Sequence, residues 1–218
     1  MIEDYAVYLP RAYRRIKFGR LEMLHILLAV VVLTFAFAVV LTSSTAAQLS
    51  LSYLDAFGYS IGISFLIVLT GFLLHELAHK FVAQRNGAWA EFRVYPFGLI
   101  LALAFAFLGF VFAAPGAVYI QGNITRRQNG IISISGPLMN LALGAIFLAF
   151  WFIMPQSSIF AFILRWIGTI NLLLAAFNLI PVPPLDGSKV IRWNVPIFVV
   201  VFAITIALLL IGLEIIAV

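Results

Sequence analysis

The chain has 218 residues, 64% of them hydrophobic and 10% charged, with a mean hydropathy of +1.15. A soluble domain is about 45–50% apolar and about 25% charged, and one core of this size cannot hide the excess, so the composition excludes an ordinary soluble enzyme and implies an integral membrane protein. The net charge of +5 comes with no aromatic-basic nucleic-acid motif, so the basic residues are read as cytoplasmic loop markers and no nucleic-acid partner is expected.

The apolar runs contain few alternating polar residues, which favours helices over a membrane barrel. Residues 1–20 are polar and basic, and Leu24 to Leu41 is the first run of spanning length. A polar loop is expected over 43–59. Ser60 to Gln84 is the second span, stopped by Arg85-Asn86-Gly87. Ala88 to Tyr95 alternates with period two and reads as a strand; Ala117 to Ile120 reads as a second, able to pair with the first. Between them Leu99 to Ala113 is apolar but only fifteen residues long, short for a span, and fits a re-entrant segment. The remaining spans are Ile131 to Met154, Ile159 to Ile180 and Val195 to Val218, with Pro181, Pro183 and Pro184 breaking the chain before Asp186-Gly187.

With a cytoplasmic N-terminus and a re-entrant 99–113, the inside segments hold Arg11, Arg14, Arg15, Lys17, Arg20, Lys80, Arg85, Arg93, Arg126, Arg127, Lys189 and Arg192, and the outside loops hold no basic residue. That one-sidedness is the positive-inside pattern. The expected architecture is an all-α membrane protein: a polytopic bundle of about five transmembrane helices with a re-entrant segment and short β-strands near the active site. The whole of 1–218 is read as one domain with its core over 58–193 and a C-terminal helix over 195–218.

The second span carries His75-Glu76-Leu77-Ala78-His79, an H-E-x-x-H motif after a charge-free run. Ionisable groups at membrane depth cost roughly 2.5–3.5 kcal/mol each on insertion scales and mark function. One helical turn separates the two histidines, so both rings can reach one metal ion, while Glu76 points elsewhere. There are no cysteines, so any metal needs His and carboxylate ligands, and a catalytic zinc usually has three protein ligands. His25 lies at the start of the first span and reads as a packed or interfacial histidine. Glu91 is an exposed alternative. Asp186, beside a long apolar helix and a proline-rich break, is the expected third ligand; the competing reading is a turn or capping Asp before Gly187.

H-E-x-x-H in a membrane helix, followed about a hundred residues on by Asn178, Pro181, Leu185, Asp186 and Gly187 in the pattern N-x-x-P-x-x-x-L-D-G, resembles the site-2 protease family of intramembrane zinc metalloproteases. Ser135-Gly136-Pro137 with Asn140 is similar to that family's S-G-P-x-x-N segment. The resemblance implies one Zn²⁺ per chain, held here by His75, His79 and Asp186. It also implies Glu76 as general acid and base, and Asn178 as a donor to the oxyanion or the substrate backbone. The expected partners are the lipid bilayer and a substrate whose transmembrane helix unwinds for cleavage, and strands near the site would align it. Strand addition along the Ala88–Tyr95 edge would recapture the hydrogen bonds lost on unwinding. The expected location is a cell membrane, multi-pass, with N-terminus and site opening cytoplasmic. Asn140 is divided between a functional role and an interhelical hydrogen bond, and Gly71, Gly136 and Gly144 read as close-packing positions. Two other readings compete: a metal-ion transporter, and a catalytically silent scaffold of the same fold.

Overall fold

A computed structural model describes residues 16–111 and 114–213. The basic stretch with Arg11, Arg14 and Arg15, residues 112–113 of the apolar run, and Glu214 lie outside the described residues.

Five of the helices among the described residues are long and apolar enough to cross a membrane. Helix α1 (Arg20–Leu49) starts with the Glu22 carboxylate accepting from the Gly19 N–H at 3.2 Å and ends at Ser50 in the left-handed region. The expected polar loop over 43–59 is not there; only residues 50–52 leave the helix. Thr42 and Thr45 donate to the carbonyls of Ala38 and Leu41 one turn back, at 2.6 and 3.0 Å, so the polar residues satisfy themselves without ending the helix. Helix α2 (Tyr53–Ile67) starts on a Ser52 cap and passes through a π turn (Val68–Leu73) into α3 (Leu74–Arg85), a continuous span of 33 residues.

Strands β1 (Trp89–Val94) and β2 (Gly116–Gln121) pair antiparallel, with Phe92 opposite Val118 and Val94 opposite Gly116. The short helix α4 (Pro96–Ala106) lies between them. Eleven residues reach about 16 Å, half of a hydrocarbon core of about 30 Å. Because Val94 and Gly116 are paired, the segment returns to the place it left, as a re-entrant element must.

Helix α5 (Arg126–Ile153) begins five residues before the expected Ile131, because Thr125 and Gln128 form a reciprocal cap. Helix α6 (Ile159–Asn178) ends ahead of the prolines. A short helix α7 (Asp186–Trp193), absent from the sequence reading, precedes α8 (Val195–Gly212). Leu24, Leu27 and Val31 of α1 are more than half exposed, an apolar outer surface that a bilayer must cover. The protein is an integral membrane protein of all-α polytopic build.

Helices α5 and α6 meet through glycine. A Cβ on Gly144 would stand 2.5 Å from Leu172 Cγ and 3.1 Å from the Gly168 carbonyl. Gly144→Val should therefore push the pair apart and destabilise the bundle by about 1–3 kcal/mol, lowering Tm by about 2–12 °C. Thermal unfolding in detergent micelles measures this; an unchanged Tm would contradict the packing.

Candidate metal centre

The π turn lies directly before the motif. It carries one residue more per turn than an α-helix, and two asparagines hold it from neighbouring helices. Asn140 of α5 donates to the Gly71 carbonyl at 3.1 Å, and Asn171 of α6 donates to Thr70 Oγ1 at 3.0 Å. Asn140 is thus the interhelical hydrogen bond, one of the two roles open to it from sequence. The turn leads into α3 with His75 and His79 both buried and one turn apart.

Asp186 arrives from the far end of the chain. The break at 179–185 folds α7 back against the end of α6 so closely that a Cβ on Gly187 would lie 2.0 Å from the Leu179 carbonyl. Only glycine fits there, which accounts for the Asp-Gly pair. Asp186 is the first residue of α7, and its Oδ2 stands 3.5 Å from His75 Nε2 and 3.0 Å from His79 Nε2. The two Nε2 atoms are 3.0 Å apart. Zinc bonds of about 2.0–2.2 Å at tetrahedral angles set ligand atoms about 3.3–3.6 Å apart. One edge falls in that range and the other two are about 0.3 Å shorter, so with a small opening these three side chains form a group that can hold a zinc ion.

The surroundings of the triangle suit the same use. His79 Nδ1 lies 2.8 Å from the Ile132 carbonyl, which can only accept, so the proton sits on Nδ1 and the Nε2 lone pair faces its partners. Asp186 turns its other oxygen to Lys189 at 3.5 Å. Gly136 closes the remaining side: a Cβ there would lie 2.4 Å from His79 Nε2 and 2.6 Å from His75 Nε2. The space where the two Nε2 atoms converge exists because that side chain is absent, so the close-packing role read for Gly136 is packing against His75 and His79 themselves.

Glu76 leaves α3 on another side, half-buried, and its Oε2 accepts the Val118 N–H of β2 at 3.1 Å. Asn178, the last residue of α6, donates to Leu174 of its own helix at 2.9 Å and not to the triangle. Glu91 pairs with Arg93 at 2.5 Å, and His25 sits half-buried on α1 away from the group.

Sequence reasoning missed two neighbours of the motif. Lys80 and Glu22 are both completely buried, with Lys80 Nζ at 2.6 and 2.7 Å from the two carboxylate oxygens. A lysine directly after H-E-x-x-H was the available signal, but nothing in the spacing points to a partner 58 residues away. The outer edge of β1, expected to receive a substrate strand, is already engaged: Phe92 N–H donates to Glu22 at 3.0 Å, and the Ala90 carbonyl accepts from Lys80 and Gln84, both at 3.1 Å.

Comparison with known proteins agrees with this chemistry. The model of peptidase family M50 matches residues 153–198, which include Asn178 and Asp186. "Putative zinc metalloprotease MJ0611" of Methanocaldococcus jannaschii is 45% identical over 145 residues, 64% of this chain and 74% of that protein. "Putative zinc metalloprotease YwhC" of Bacillus subtilis is 35% identical over 153 residues, 59% of this chain and 67% of that one. "Putative zinc metalloprotease Rip2" of Mycolicibacterium smegmatis is 34% identical over 147 residues, 56% of this chain and 55% of that protein. No solved structure matches. A relative 45% identical, matched over three quarters of its length and named for the chemistry that the His75, His79 and Asp186 triangle suits, settles the family: the chain belongs to peptidase family M50, the site-2 protease family of zinc metalloproteases.

Proposed function

We propose that the protein cleaves a peptide bond within or beside a transmembrane helix of a membrane-protein substrate, with His75, His79 and Asp186 as zinc ligands. The observation that carries this reading is the closure of a three-ligand triangle at the end of an apolar span, with the Glu76 carboxylate beside it. Bound zinc supplies Lewis-acid chemistry, bringing the pKa of a water near 7 and polarising the scissile carbonyl. Glu76 accepts the proton of the attacking water and later passes it to the leaving amine. Asn178, eight residues before Asp186, is the neutral donor for the oxyanion or the substrate backbone, once its amide turns from Leu174.

Among the described residues, Lys17, Arg20, Arg85, Arg93, Arg126, Arg127, Lys189 and Arg192 lie at helix ends or in the segments joining α3 to α5 and α6 to α8, and before α1. The turns at 50–52 and 154–158 on the other side hold no basic residue. This supports a cell-membrane orientation with the N-terminus and the site opening cytoplasmic.

A substrate helix satisfies its own backbone and must unwind to expose a peptide bond. The edge that can recapture those hydrogen bonds is β2, whose Val118 N–H points at Glu76; β1 is engaged by α1 and α3. Ile120 is two residues on and faces the same way, so its N–H also points outward, clear of the β1 ladder.

Glu76→Gln should keep its zinc and lose about 10²–10⁴-fold in cleavage of a model transmembrane substrate. Metal analysis beside a cleavage assay on purified protein measures both; zinc flux into liposomes without cleavage would favour the transporter instead. Gly136→Ala puts a methyl against both Nε2 atoms and should weaken zinc binding about tenfold or more. Full zinc occupancy in that variant at limiting metal would argue against the triangle as the metal seat. Ile120→Pro removes one outward donor and should raise KM for the transmembrane substrate several-fold while zinc content stays unchanged. An unaltered KM would remove β2 as the docking edge.

A further inference from the structure

Glu22 and Lys80 form a buried ion pair in which each polar atom has its partners. The ammonium spends its three donors on Glu22 Oε1, Glu22 Oε2 and the Ala90 carbonyl, with the Phe18 ring 4.4 Å away. The carboxylate spends Oε1 on Lys80 and the Phe92 N–H, and Oε2 on Lys80 and the Gly19 N–H. Stability alone does not account for such a pair, because well-packed apolar residues of similar volume commonly do as well or better. Its placement does.

Lys80 stands one helical turn after Glu76, on the same side of α3. Both residues face the hairpin, and together with Glu22, Phe92 and Val118 they line one narrow crevice. Phe92 and Val118 are directly opposite in the β1–β2 register. One rung of the hairpin is therefore gripped at both edges by carboxylates: Glu22 takes the Phe92 N–H on the β1 side, and Glu76 takes the Val118 N–H on the β2 side. Lys80 joins the two grips, since it holds Glu22 and is built on the helix that carries Glu76.

The geometry points to Glu22 as a positioning residue for catalysis: from the first turn of α1, fixed by Lys80, it sets the height of the Phe92–Val118 rung and thereby the direction of the Glu76 carboxylate. The first turn of α1 thus belongs to the working parts of the site. This inference rests on Glu76 being the general base of the proposed protease.

Two charge-neutral double variants separate positioning from stability. Glu22→Gln with Lys80→Met removes both charges but leaves an amide oxygen to accept the Phe92 N–H. Glu22→Leu with Lys80→Met keeps the volume and removes that acceptor. In the full-length protein the Leu/Met variant should retain zinc and Tm, lose about tenfold or more in kcat with KM nearly unchanged, and expose residues 116–121 to faster amide hydrogen exchange. The Gln/Met variant should recover kcat to within about threefold of the parent and restore the slow exchange. Unchanged exchange at 116–121 and unchanged kcat in the Leu/Met variant would overturn the proposal. So would a loss of zinc or folded yield in that variant that the Gln/Met variant does not correct, which would make the pair a matter of stability. The exchange measurement needs no substrate, so it tests the coupling even if the parent protein fails to cleave.

Discussion

Ionised groups taken out of water cost several kcal/mol apiece unless another element meets them with charge and hydrogen bonds, and the centre of this protein is arranged around that cost. Helix α3 carries two imidazoles, a carboxylate and an ammonium within six residues of an apolar span. Each is met from elsewhere. His79 is held by the Ile132 carbonyl of α5, both histidines face Asp186 of α7, Glu76 takes a backbone amide of β2, and Lys80 meets Glu22 of α1. Four elements are thereby drawn to one helix, and the fold around the site is largely the set of partners that this one stretch requires.

The parts of this arrangement that could be read from sequence are those with local signatures. His75 and His79 have helical spacing, the five spans have length, β1 and β2 have alternation, and Asp186 stands alone as an acid after a proline break. The parts that could not be read depend on contacts between distant residues. Thr42 and Thr45 look like loop residues until their hydroxyls are seen bonded one turn back. The π turn is written in no residue pattern; it exists because Asn140 and Asn171 hold the turn at Gly71 and Thr70 from two other helices. Helix α7 is eight residues of modest propensity, fixed because Gly187 lies against the end of α6. Glu22 belongs to no motif, and only the fold reveals that it is completely buried.

The hairpin shows how one element serves both edges differently. On β1 the outward groups are closed by Glu22, Lys80 and Gln84, so that strand is fixed to the body of the protein. On β2 the outward contact is the one to Glu76. A strand tied down on one edge and presented on the other is a stiff ledge, and its register is set by the same rung that reaches the motif. Sequence alternation identifies strands without telling which edge the body of the protein engages, and the β1 edge expected to receive a substrate is the one met by Glu22, Lys80 and Gln84.

Helix α5 links the geometry of the two histidines to helix packing. Gly136, Asn140 and Gly144 follow one another at four-residue intervals along it. The first lies against the two imidazoles, the second bonds the π turn, and the third lets Leu172 of α6 approach. Small residues let helices meet closely in a bilayer, where no hydrophobic force drives them together and dispersion at short range must do the work. Here the same closeness fixes how far α5 stands from His75 and His79, and so how much room their nitrogens share. Packing along this stripe and the room between the two imidazoles are then one variable. A change that loosened α5 from α6 near Gly144 would also alter the wall that Gly136 presents to the two histidines two turns away.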